Sequence, residues 1–158
     1  MPIGNQGNEL RRLVIRPTLD YLKIEAPAAE DILAALALLS HNFRGGGEGL
    51  GLYGITPAQH RQVWDGYLAF HPDLASDVRG LASQRCFLQD PDRELVTNVG
   101  YATAIAWILV RSSGQTLPAA GDTEGLVQLW QRTLGAARPW PSSRQAVDWL
   151  RQQLSQAA

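Results

Sequence analysis

The chain has 158 residues, of which 45% are hydrophobic and 18% charged, and its formal net charge is −1. This balance favours one folded domain with a single core and excludes a disordered chain. It also argues against nucleic acid as a partner, because the arginines are scattered and a nucleic-acid binder concentrates basic residues on one face.

Helices are predicted along the whole chain, beginning near its N-terminus. Residues 1–7 are polar and glycine-rich, which predicts a flexible or partner-bound arm ahead of one domain over residues 8–158. Apolar residues then recur at a rough helical period from Asn8 to Ile24, where Pro17 should break or kink the helix. The segment after Pro27 is apolar on nearly all sides, so it predicts a buried central helix.

A glycine-rich loop separates this central helix from the C-terminal half. Thr56-Pro57 combines an N-cap with a proline in the first helical turn, and Asp90-Pro91 repeats the device before a long apolar helix reaching Leu109. That helix is shorter than the roughly 20 apolar residues needed to cross a bilayer, so we interpret it as a core helix and predict no membrane span. The residues expected to cap the last helices are Asp122 or Thr123, and Ser142 or Ser143.

No cofactor or metal site is predicted. Cys86 is the only cysteine, so no intramolecular disulfide can form, and we expect it to be a small buried hydrophobic residue. His41, His60 and His71 show no metal-ligand spacing with one another.

The segment after the glycine loop carries a resemblance to a known family. The residues Gly51-Leu52-Tyr53-Gly54-Ile55-Thr56-Pro57-Ala58 resemble the second motif of lysozyme-like lytic transglycosylases, in which a glycine-rich loop returns past the sugar cleft. Phage members of that family share further short segments with this chain, in the same order. These are Arg16-Pro17-Thr18-Leu19, Pro27-Ala28-Ala29-Glu30, Gly45-Gly46-Gly47, Pro57-Ala58-Gln59-His60 and Tyr101-Ala102-Thr103-Ala104. The resemblance implies a mainly α, lysozyme-like single domain with a buried central helix.

The chain departs from the family where the chemistry would lie. Ser40 takes the position of the catalytic glutamate, and residues 32–47 contain no Asp or Glu. Gly54 replaces a glutamine, and Leu134-Gly135 replaces a Tyr-Asn pair of the cleft. Cleaving a glycosidic bond needs a carboxylic acid to protonate the leaving oxygen, and a serine hydroxyl is far too weak an acid.

Two other residues are weak candidates for the missing acid. Glu48 lies in the glycine loop, where it lacks a packed shell to hold it, and His41 is the weaker candidate because glycoside hydrolysis generally uses carboxyl groups. Asp65, Asp90 and Asp92 are interpreted as surface or capping residues.

The degenerate cleft implied by the resemblance would be lined by Ser40, His41, Tyr53, Gly54 and Tyr101. Tyr53 and Trp140 lie on predicted loops, so they are the aromatic residues expected to be exposed for stacking on sugar rings. The tryptophans at helical spacing, expected in the core, are Trp64, Trp107, Trp130 and Trp149.

The leading interpretation is a phage tail-associated virion protein with a structural or binding role and a degenerate lysozyme-like fold. It would be made in the host cytoplasm, since the N-terminus lacks the apolar core of a signal peptide. Its partners would be other virion proteins, with peptidoglycan glycan and a second copy of the chain left open. Two alternatives remain: an active peptidoglycan-cleaving enzyme using Glu48 or another acid, and a helical head-to-tail adaptor that forms a ring.

Overall fold

Helices form nearly all the regular structure of the described residues, which are 3–44, 47–136 and 142–156 of this computed structural model. Within these ranges no strand forms, and one antiparallel bridge joins Leu50 to Ile55. The expected mainly α fold is therefore confirmed.

The first helical segment continues past Pro17 without breaking. It comprises α1 (Ile3–Leu10), a π-helical turn (Arg11–Ile15) and α2 (Arg16–Tyr21). In the π-helical turn the Arg16 amide donates to the Arg11 carbonyl, so the hydrogen-bond ladder is already widened just before the proline ring. This widening accommodates a residue that would otherwise clash with the preceding turn.

Both ends of this segment differ from the expected limits. Residues 3–7, assigned to an N-terminal arm, begin α1, and residues 1–2 lie outside the described residues. α2 stops before Ile24 because Lys23 adopts a left-handed conformation with φ 57°. The Ile24 amide then bonds back to the Leu19 carbonyl at 3.0 Å, a common helix ending.

α3 (Ala29–Asn42) is the buried central helix. Its first turn carries Glu30 and Asp31, where carboxylates favour the positive end of the helix dipole. They also pair with Arg16 and Arg11, which ties α3 to the N-terminal segment. The buried residues of α3 lie on all sides of its body: Ala29, Ile32, Leu33, Ala34, Ala35, Leu36, Ala37, Leu39 and Ser40.

α4 (Pro57–Gly66) begins at the expected capping site. Thr56 Oγ1 accepts from the Gln59 amide, and Gln59 Oε1 accepts from the Thr56 amide, which completes a capping box. Gln59 Nε2 also donates to the Thr133 carbonyl at 3.1 Å, so this cap joins two distant parts of the chain.

The prediction of one long apolar helix after Asp90-Pro91 is wrong. The elements in this region are α5 (Pro72–Leu81), α6 (Gln84–Gln89), α7 (Glu94–Thr97) and α8 (Val99–Ser112), with 3-10 turns at Leu68–Phe70 and Pro91–Arg93. The chain turns by 108° at Asn98, whose Oδ1 accepts from the Tyr101 amide and starts a new helix. Asn98 Nδ2 donates to the Leu81 carbonyl and to Glu94, each at 2.8 Å, which fixes the turn.

The last two helices are capped as expected. α9 (Thr123–Arg132) begins at Asp122, whose side chain accepts from the Gly125 amide, and α10 (Ser143–Gln156) begins at Ser142, whose hydroxyl accepts from the Gln145 amide. α3 packs against α8, α9 and α10, so the core surrounds the central helix.

Among the described residues, no single helix is long and apolar enough to cross a membrane. By length and composition alone, residues 91–97 and 99–112 would qualify together, but they are bent by 108°. α8 lies in the core, with most of its residues buried.

Candidate functional site

The turn that carries the family-like motif is a small hairpin built on glycine. The Leu50 amide donates to the Ile55 carbonyl at 2.9 Å, and the Ile55 amide donates back at 3.1 Å. Gly51 and Gly54 have φ of 70° and 61°, which other L-residues rarely adopt. A Cβ on Gly51 would lie 1.9 Å from the Leu95 carbonyl oxygen, so this glycine lets the hairpin pack directly on α7.

Ser40, at the position that the resemblance assigns to the catalytic acid, lies inside the core. Its exposure is 0%, and its Oγ accepts a hydrogen bond from Trp130 Nε1 at 3.0 Å. The next residue, His41, is exposed. Ser40 and His41, which were expected to line the same cleft, therefore face different environments, because successive side chains on a helix point in different directions.

Tyr53 was expected to be exposed for sugar stacking, and this prediction is wrong. Its exposure is 0%, and its hydroxyl lies 2.9 Å from Thr103 Oγ1. Thr103 Oγ1 donates to the Val99 carbonyl, so the Tyr53 hydroxyl is the donor to Thr103. Burial raises the pKa of the Tyr53 phenol above its ordinary value. The other loop aromatic, Trp140, lies outside the described residues.

Gly54 and Leu134-Gly135, where the resemblance implies polar cleft residues, also belong to the packed interior. Gly54 and Leu134 are buried. A Cβ on Gly135 would lie 3.0 Å from the Trp130 ring, so the backbone there packs closely on that indole. A larger residue at Gly135 would therefore force the Trp130 ring to shift.

Tyr101 belongs to a buried polar cluster that the sequence analysis did not predict. Its hydroxyl lies 2.6 Å from His60 Nε2 and 2.8 Å from Trp64 Nε1, and His60 Nδ1 lies 2.8 Å from Asp92 Oδ1. We call Asp92, His60, Tyr101 and Trp64 the His60 cluster.

The donors of the His60 cluster can be assigned from its chemistry. The indole N–H of Trp64 can only donate, so the Tyr101 oxygen accepts from it. We assign the Tyr101 O–H as the donor to His60 Nε2, and this assignment leaves the His60 proton on Nδ1, which faces Asp92. Burial is the main cause that raises the pKa of Tyr101.

One sequence signal could have revealed this cluster. His60 shares a helix face with Val63, Trp64 and Tyr67, and a histidine on an apolar face is expected to be buried with partners. Its partner Asp92 was taken for a surface or capping residue and instead pairs with a side chain that is 3% exposed. Asp90, expected as a cap, makes no capping hydrogen bond to the described residues.

The described residues also contain a buried acid that sequence reasoning missed. Glu94 is 1% exposed, and its carboxylate accepts from the Ser83 amide at 3.2 Å and from Asn98 Nδ2 at 2.8 Å. Both bonds fix the turn between α6 and α8, so the arrangement accounts for Glu94 as part of the scaffold.

The remaining candidates do not converge on one site. Glu48 is exposed, and Cys86 is only partly buried, which differs from its expected place in the core. An apolar pocket of about 330 Å³ borders His41, but Ser40, Tyr53 and Tyr101 do not line it.

The expected core tryptophans divide into two pairs. Trp107 and Trp130 are buried, whereas Trp64 and Trp149 are partly buried at the edge of the core. Across residues 3–44, 47–136 and 142–156, no group of three or more His, Cys, Asp or Glu side chains could hold a metal ion.

No family model, curated protein or solved structure matches this chain. In this helical domain three of the anticipated cleft residues, Ser40, Tyr53 and Tyr101, are buried and hydrogen-bonded, whereas His41 is exposed.

Proposed function

We propose that this protein is a phage tail-associated virion protein with a structural or binding role, retaining a lysozyme-like fold without the cleavage chemistry. The observation that carries the proposal is the environment of Ser40. A hydroxyl with 0% exposure, accepting from an indole N–H, can neither reach a glycosidic oxygen nor protonate it.

The two candidate carboxylates, Glu48 and Glu94, support the same conclusion. A general acid must lie within hydrogen-bond reach of the oxygen that it protonates, and burial or a neighbouring charge must hold its proton near neutral pH. Glu48 is exposed in a loop, and Glu94 is already bonded to Ser83 and Asn98. Neither carboxylate borders the pocket beside His41.

The proposal places other virion proteins as partners of this chain. Packing that favours a rigid core over an open cleft suits a protein that serves through its surface. Assembly contacts would then select for the fold after the chemistry has been lost.

Peptidoglycan clearing tests the proposal directly. We expect the purified full chain to clear peptidoglycan no faster than the same preparation after heat denaturation, with an active lysozyme as the positive control. Clearing by the wild type that Glu48→Gln abolishes, while Glu124→Gln on the exposed face of α9 preserves it, would establish the enzyme instead.

Location and copy number provide the second measurement. Mass spectrometry of purified phage particles is expected to detect the chain in the tail fraction, and native mass measurement is expected to give a monomer or small oligomer. Absence from the particle, or a ring of many copies, contradicts the proposal, and the ring would favour the adaptor interpretation.

A further inference from the structure

A hollow that is partly open to solvent lies between α1, α3 and α10. Its volume is about 330 Å³, which is in the size range of small-molecule sites. Ala34, Ala37, Leu38 and His41 line it at intervals of three and four residues, so one face of α3 borders the hollow. The short side chains of the two alanines leave its floor open.

The other walls of the hollow are mostly apolar by area, and the polar residues Asn8, Arg11 and Asn42 also line it. Leu10 of α1, Leu52 of the glycine turn, and Trp149 and Leu154 of α10 line it. The Trp149 ring meets Phe43 edge-on, with centroids 5.3 Å apart, so the core holds this aromatic wall in place. A fixed aromatic surface beside small apolar side chains suits a flat ring.

A second, independent observation concerns Gln153, which lines the same pocket. Its Oε1 is buried and has no hydrogen-bond partner among the described residues. A buried acceptor without a donor is costly and uncommon in folded proteins. The terminal torsion of glutamine is soft, so a small rotation would direct this oxygen towards a donor in the pocket.

We propose that this pocket is a binding site for a small, uncharged aromatic molecule that carries one N–H or O–H donor. The ring lies against Ala37 and Trp149, and the donor bonds to Gln153 Oε1. A mostly apolar pocket with a few polar groups that fix orientation is the usual form of a small-molecule site. This inference is independent of the proposed function.

A pair of compounds differing in one donor tests the site in the full-length chain. We expect indole to shift the amide NMR signals of the lining residues, with a dissociation constant on the order of 100 µM. 1-Methylindole lacks the N–H, so its dissociation constant should be at least about fivefold higher than that of indole. Gln153→Leu should remove that difference, while Gln152→Leu, at an exposed neighbouring position, should preserve it.

Filling the hollow provides the complementary variant. Ala37→Phe should weaken indole binding at least about tenfold, and if that variant does not fold, the Gln153→Leu comparison decides. The proposal is overturned if millimolar indole leaves the lining residues unshifted, or if indole and 1-methylindole bind the wild type equally. A dimer that covers this face and dissociates in Ala37→Phe would also overturn it, since the occupant would then be a second copy.

Discussion

Two polar regions of the molecule differ in whether they contain titratable side chains. Around Ser40 the resemblance implies a carboxylic acid, and the chain has a neutral hydroxyl bonded to Trp130 at 3.0 Å. In the His60 cluster two titratable groups, His60 and Tyr101, are buried, and each has a partner within 2.8 Å. The first region lacks a chargeable group, whereas the second contains several and uses them to join α4 to α8.

The difference shows that burial of polar residues does not by itself mark an active site. A catalytic group needs access to its substrate and a bond that it can exchange during the reaction. Tyr101 and His60 are 0% and 2% exposed, so the His60 cluster stabilises the fold in the same way as the bond between Ser40 and Trp130. Substitutions that add charge to one region or remove bonds from the other can test this equivalence.

Placing an acid at position 40 should have the largest effect. We expect Ser40→Glu to lower the free energy of unfolding by about 3–5 kcal/mol at neutral pH, because it buries a carboxylate without a cation. The variant should also produce no clearing of peptidoglycan. Urea denaturation measures the loss.

Ser40→Gln separates the effect of charge from the effect of size. As the pH falls, the carboxyl group of the Glu variant becomes neutral, so the stabilities of the two variants should converge. If the variants are equally stable at every pH, water reaches this position and the region is still an open cleft.

Removing one hydroxyl from the His60 cluster should have the next largest effect. Tyr101→Phe keeps the ring but deprives both His60 Nε2 and Trp64 Nε1 of a partner, so we expect a loss of about 2–3 kcal/mol. Tyr67→Phe, at a partly exposed tyrosine of the neighbouring helix end, should change stability by less than about 0.5 kcal/mol. Equal effects in the two variants would mean that the cluster contributes nothing.

Local sequence patterns predicted most of the helices and several of their caps. Thr56, Asp122 and Ser142 cap helices where side-chain chemistry alone indicated it. The break at Asn98 was missed because its cause is not local. Asn98 bonds to Leu81 and Glu94, and only the folded chain brings the Leu81 carbonyl within reach.

The candidate site was harder to predict than the fold. The sequence predicted an exposed Tyr53, which is buried, and it gave no indication that Asp92, interpreted as a surface or capping residue, would pair with a buried histidine. A loop position does not determine burial when the loop is a glycine hairpin that packs on α7. The partner of His60 lies 32 residues away, a separation for which the sequence offers no periodic signal.

Raising the pH tests the buried phenols of Tyr53 and Tyr101. Both have a pKa raised by burial above the ordinary value of 10.0. The folded state therefore holds these protons more tightly than the unfolded state does. The resulting contribution to the free energy of unfolding is fully present below pH 10.0 and is lost as the pH rises towards the pKa of the folded state. We expect the free energy of unfolding to fall by up to about 1.4 kcal/mol per pH unit for each phenol in this range.

Urea denaturation from about pH 9 to about pH 11 measures this slope. Tyr53→Phe and Tyr101→Phe should each make the slope shallower, whereas Tyr67→Phe should leave it unchanged. A slope that is the same in all of these variants would show that another group titrates.

Replacing the cluster's carboxylate with an amide should have the smallest effect, and it tests the assigned protonation. If His60 is neutral and donates from Nδ1, the amide oxygen of Asp92→Asn still accepts that hydrogen bond. We therefore expect a loss of about 1 kcal/mol or less, since a charged acceptor becomes a neutral one and the Asp92 side chain is 33% exposed. Asp92→Ala removes the acceptor and should cost about 1–3 kcal/mol. If Asp92→Asn instead costs about 3 kcal/mol or more, the pair is a buried ion pair, and the His60 cluster then differs in kind from the neutral bond at Ser40.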